Sequence, residues 1–227
     1  MKQLLEVVWP LASAAFAIAA IATALVQLLK DLLPIRRRFQ RRFLAKWFSQ
    51  RLSARSKTVA NAQLVEAEID LVHLATGGDR NAFYDLEPAQ LCGQMNSAAQ
   101  MAVAYPNRHP ALLRFLAPEA NDGDIETLTA GKKDQGDVNA LLDARNRVTH
   151  HLQRSIDALQ ISMSFQWKFY VQVVIYGVCV VLAFISVFAV KQGKYTVAEA
   201  IAVAIVAGFL SPVISDIAAA INRWRKP

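Results

Sequence analysis

The chain has 227 residues, 54% of them hydrophobic, and a formal net charge of +7. That length accommodates one modest folded domain plus a few membrane spans. Its two cysteines, Cys92 and Cys179, lie in different surroundings and exclude a disulfide framework or a zinc finger. The charge is segregated. Residues 35–57 carry nine Lys/Arg and no acid, whereas 58–167 hold eight basic and fourteen acidic residues. The positive total therefore points to an anionic membrane surface, and the acidic middle gives nucleic acid no track.

Residues 7–29 are free of charge, enough to cross a hydrocarbon core of roughly 30 Å. Only Lys2 precedes this run, offset by Glu6, and the heavy positive charge follows it, so it reads as a retained anchor with its N-terminus outside and not as a cleaved signal. Ser13, Ala17, Ala20 and Ala24 form a small-residue stripe that would let another helix approach closely.

The basic segment 35–57 follows, with Ile35, Phe39, Phe43, Trp47 and Leu52 at helical spacing. A helix of this kind suits the anionic inner leaflet, with Arg36, Arg37, Arg38, Arg41, Arg42 and Trp47 at the membrane surface and its rings in the headgroup boundary. A second helix is expected over 59–75 on the apolar face of Leu64, Val65, Ile69, Val72 and Leu74, with His73 as a satisfied core histidine and Gly77 and Gly78 ending it. A third starts near Pro88 and stops before Pro106, and a short one follows Pro110. The polar, acidic segment 118–137 reads as a mobile loop. Within it, NDGDIE lacks the alternating ligands and closing Glu of a calcium loop.

From residue 138 the helical pattern meets neither Gly nor Pro up to 176, so one helix is expected to run from the soluble part into the next span. That span covers 169–190, anchored by Trp167, Lys168 and Tyr170 at the inner interface. A tight turn at 191–194 leads to a third span over 196–221, carrying a small-residue row of Ala200, Ala204 and Gly208. The last two spans should form an antiparallel hairpin.

The expected fold is thus an all-α integral membrane protein. It has three transmembrane helices and a small helical cytosolic domain inserted between the first and second. Its segments are 1–34 (first span), 35–57 (basic juxtamembrane helix), 58–166 (cytosolic domain) and 167–227 (hairpin and basic tail). The positive-inside rule places the N-terminus outside and both the central domain and the C-terminus in the cytoplasm, in an inner or plasma membrane.

Asp216 sits in a largely apolar run, where a carboxylate costs a few kcal/mol unless paired, hydrated or neutralised. With Ser211 and Ser215 it forms a candidate polar lining for a pore repeated around an oligomer. The run Arg145-Asn146-Arg147-Val148-Thr149-His150 resembles the active-site motif of HEPN ribonucleases over these six residues. The resemblance implies that Arg145 stabilises phosphate charge and His150 acts as general acid or base, usually across a dimer. No phosphate loop, dinucleotide fingerprint, serine elbow or clustered metal ligands occur, so no cofactor or metal is expected. The leading expectation is a non-catalytic, self-associating membrane protein whose cytosolic domain docks a protein partner or senses a signal. The alternatives are a homo-oligomeric channel or membrane-permeabilising effector gated by that domain, and a membrane-anchored ribonuclease using Arg145 and His150.

Overall fold

The computed structural model describes residues 2–52, 57–130, 138–189 and 197–224. Every element among them is a helix. In order these are α1 (Lys2–Leu32), α2 (Ile35–Leu52), α3 (Lys57–Thr76), α4 (Arg80–Asp85), α5 (Pro88–Ala104), α6 (Pro110–Leu116), α7 (Asp122–Ala130), α8 (Val138–Ala189) and α9 (Val197–Trp224). The helix is unbroken through Ser162–Ser164, and α8 extends to 52 residues. The expected turn at 191–194 lies outside the described residues.

One expectation is corrected here. The acidic segment 118–137 is not a loop throughout, because α7 occupies Asp122–Ala130, and 131–137 lie outside the described residues. Asn121 explains the helix: its side-chain oxygen accepts from the Gly123 N–H at 3.0 Å, as an N-cap does. Ile125 and Leu128 then bury one face. The polar composition that reads as a loop is the exposed face of a short capped helix.

The chain divides into two units, Met1–Leu33 with Trp167–Pro227, and Pro34–Gln166. In the first, two helices are long and apolar enough to cross a membrane: α1 over Ala12–Lys30, and α8, whose most apolar stretch reaches a mean hydropathy of 2.3. The apolar run of α9 is shorter, Ala200–Ile214. Small residues make up more than half of the buried cluster of this unit. Ala15, Ala19 and Ala22 of α1 meet Val203, Ala204 and Ala207 of α9, and Ile175, Cys179 and Ala183 of α8 complete the cluster. Small facing residues let α1 and α9 pack side by side over much of their length, although they stand at opposite ends of the chain. The small-residue face of α1 is therefore 15/19/22; of the predicted stripe, Ser13, Ala17 and Ala24 are exposed and Ala20 is half-buried. The predicted row on α9 does face inward, with Ala200, Ala204 and Gly208 all buried.

The second unit has a core of the opposite kind, built from large side chains. Phe83, Leu91, Met95, Leu112, Leu113, Leu116, Ile125 and Leu159 are among its fully buried residues. Each such side chain contributes about 1.5–3 kcal/mol on leaving water. α5 supplies the middle of this core through Leu91, Cys92, Met95, Ala98, Ala99 and Ala102. Its start is fixed by a capping box in which the Glu87 and Gln90 side chains answer each other's backbone, with Pro88 at the first helical position. α3 ends where expected: Gly77 and Gly78 adopt φ of 66° and 98°, and their N–H groups donate to the His73 and Val72 carbonyls. The space around both glycines is open, so the left-handed backbone and not crowding requires them.

Candidate functional site

Three groups of polar side chains stand out, one on the basic helix, one on the face of α8 that carries the ribonuclease-like motif, and one in the apolar unit.

The apolar face of α2 is packed into the helical unit. Leu44 and Phe48 are buried, Phe39, Phe43 and Trp47 lean on the same core, and Phe48 stacks on Phe115 with ring centroids 3.5 Å apart. The rings expected at a headgroup boundary, Phe39, Phe43 and Trp47, are half-buried and make part of their apolar contacts within the protein. The arginines divide accordingly. The Arg36 guanidinium donates to the Asp85 carbonyl at 3.2 Å, and Arg37 pairs with the Asp85 carboxylate at 3.3 Å, clasping the C-terminal end of α4. The neighbouring Gln40 is fully buried and donates to the Leu86 carbonyl at 2.8 Å. Arg38, Arg41, Arg42 and Lys46 remain exposed, and the spacing of Arg38, Arg42 and Lys46 sets them along one stripe. Arg41 also borders a pocket of about 150 Å³ lined by Phe48, Leu71 and Phe115. There Glu68 accepts from both Arg80 and the Tyr84 hydroxyl, the latter at 2.6 Å. Burial, reinforced by the Glu68 carboxylate, holds the Tyr84 phenol well above its ordinary range.

On α8, Arg145 and Asn146 line a polar groove of about 370 Å³ with Asn96 and Gln100 of α5. Thr149 and Gln153 extend the same wall. His150 is exposed and does not line it. Five residues of helix turn a side chain by about 140° relative to the first, so one chain does not bring Arg145 and His150 onto one site. Arg147, between them, is engaged elsewhere: its Nε and Nη2 donate to the two Asp124 oxygens at 2.9 and 2.7 Å. This fork holds the Asp124 carboxyl below the usual carboxylate range and ties α7 to α8. Within the acidic run NDGDIE, Asn121 thus serves as a cap and Asp124 as an ion-pair partner.

Other expected residues fall as follows. His73 is exposed, correcting its assignment to the core, because Leu71 and Val72 take the inward face of α3. His109, in the turn before α6, has its Nδ1 at 3.0 Å from Asp70 and so pins that turn to α3. Cys92 is buried in the core, and burial pushes its thiol up to about 12, far from a nucleophile's range. Among the described residues no three His, Cys, Asp or Glu side chains converge as metal ligands.

In the apolar unit Ser211 is fully buried, and its Oγ lies 2.7 Å from Thr23 Oγ1 of α1. Thr23 gives its own hydrogen to the Ala19 carbonyl at 2.7 Å, so Ser211 is the donor between the two. Asp216 is exposed and lines an open cleft of about 270 Å³, together with Lys30 at the end of α1 and Lys168 at the start of the apolar part of α8. Ser215 lies on α9, its side chain outside those described. Sequence reasoning singled out Asp216 and Ser211 but missed Thr23 and Lys30, whose roles depend on how the helices are rotated. The only signal for Thr23 was a hydroxyl within an uncharged run.

No family model, curated protein or solved structure matches this chain.

Proposed function

We propose that the protein is a non-catalytic, self-associating membrane protein that displays its helical unit on the cytosolic side as a docking or sensing surface. The observation that carries this reading is the inverted build of the apolar unit. Large apolar side chains face outward on all three of its helices, Phe16 and Ile21 on α1, Phe169 and Val181 on α8, Ile205 and Phe209 on α9, while alanines and a hydrogen-bonded hydroxyl pair, with a few branched residues, lie inside. An unbroken outer surface of that kind is costly in water and suits lipid, where small residues let helices pack and hydroxyls pair between them. On this reading α9 is a third span despite its shorter apolar run. The exposed Arg38, Arg42 and Lys46 favour an anionic inner leaflet. Exposed Ser13, Ala17 and Ala24 on α1 leave a small-residue strip on which a second copy can seat. For docking, Val65 and Ile69 on α3 are 55% and 63% exposed one helical turn apart, and the amide-lined groove beside Arg145 lies on the same unit.

The channel alternative needs Ser211 and Asp216 to face a pore between copies. Ser211 instead faces Thr23 of its own chain, which weighs toward docking. A ribonuclease would need a second copy to bring an Arg145 to a His150.

The test is carbonate extraction of membranes combined with labelling of single cysteines in the full chain. Retention in the pellet, no labelling of Asn121→Cys from outside, and crosslinking between copies through Ala17→Cys are the expected results. Release by carbonate, or outside labelling at position 121, would overturn the reading.

A further inference from the structure

We infer that the cleft bordered by Lys30, Lys168 and Asp216 binds the headgroup of an amine-bearing zwitterionic phospholipid, of the phosphatidylethanolamine type. The inference rests on the membrane reading above and gives that unit a ligand. The cleft has room for a headgroup, about 270 Å³, and opens to the surface. Among the described residues its charged groups are two ammonium ions and one carboxylate, and none of the three is in an ion pair there. A simple anion seated there would meet the Asp216 carboxylate, and a simple cation would meet both lysines. A phosphodiester linked through two carbons to a primary ammonium answers both signs at once. The lysines donate to the phosphate oxygens, and the ligand ammonium donates to Asp216.

The remaining walls fit the rest of such a molecule. Trp167, also on the lining, is an aromatic of the kind that sits at headgroup level. Val171, Ile175 and Pro212 offer apolar surface to the glycerol-proximal end of an acyl chain. The Ser211 hydroxyl, also on the lining, has its hydrogen committed to Thr23 and does not compete for the phosphate.

The experiment uses the full chain in mild detergent, titrated with phosphatidylethanolamine, phosphatidylcholine or phosphatidylglycerol of matched chains and read by native mass spectrometry. One phosphatidylethanolamine per chain should bind at least about tenfold more tightly than phosphatidylcholine, which keeps the phosphate but has no ammonium N–H to donate. Asp216→Asn should abolish that preference, Lys30→Gln should weaken all three lipids together, and Lys30→Arg, which keeps the charge, should restore binding. Equal binding of the ethanolamine and choline lipids by the unaltered protein would overturn the inference, as would an Asp216→Asn variant that kept the preference. Soluble phosphoethanolamine should not displace the lipid. Displacement at equal concentration would assign the cleft to a free headgroup compound and overturn the lipid identity. Carbonate release sinks the membrane reading itself, whereas a carbonate-resistant protein without amine preference sinks only this inference.

Discussion

Glu68 shows how much of the helical unit hangs on single polar contacts. It accepts from the nearly buried Tyr84 hydroxyl and from Arg80. Glu68→Ala leaves that hydroxyl without its acceptor and should cost about 1–3 kcal/mol, whereas Tyr84→Phe removes donor and demand together and should cost less. Urea unfolding of the two variants checks the order; a Tyr84→Phe loss equal to or greater than that of Glu68→Ala contradicts it. The Asp124–Arg147 fork has a pH signature. Because the folded-state pKa of Asp124 is depressed, its stabilisation is present above the ordinary carboxylate value of about 3.9 and is lost as pH falls through the lower folded value. Asp124→Asn should therefore lower the melting temperature near pH 7, with the difference from the unaltered protein shrinking toward pH 3. A constant difference across that range would assign the fork no electrostatic role. Neither contact was legible in the sequence, since both join residues more than ten positions apart. Cys92 was legible as packing. Its raised thiol predicts that iodoacetamide at pH 8 modifies it only after unfolding, and rapid native labelling would refute its burial.

At the scale of elements, periodicity located α3, α5 and α6 well because Gly77, Pro88 and Pro110 punctuate the chain. It could not say what an apolar face packs against. The aromatic face of α2 has the pattern of a membrane-surface helix, and the same helix also sets Phe48 on Phe115 and buries Leu44 in the protein's own core. The same limit applies to α1, where two small-residue stripes compete and only helix rotation selects Ala15, Ala19 and Ala22. On α9 the row of Ala200, Ala204 and Gly208 was read correctly, and Gly208 carries the sharpest consequence. A Cβ at that position would overlap the Cδ1–Cε1 edge of the Tyr176 ring. Gly208→Ala should thus force the ring aside and destabilise the apolar unit by about 1–3 kcal/mol, as overpacking does. Tyr176→Ala in the same chain should relieve much of that loss. Thermal unfolding in detergent reads both, and an unaffected Gly208→Ala would show that the ring moves freely.

For the molecule as a whole, the amino-acid order by itself determined an all-helical chain, the length and apolarity of α1 and α8, and the separation of a basic segment from an acidic middle. These are local properties, set by side-chain periodicity, by Gly and Pro, and by net charge over short windows. Only the tertiary structure decided that α1 packs along α9, that Ser211 answers Thr23, and that Lys30, Lys168 and Asp216 border one cleft. The physical reason is common to all three. Each depends on the rotation of a helix about its own axis and on contacts between distant residues, and both are selected by the fit of whole surfaces, which no short stretch of sequence encodes.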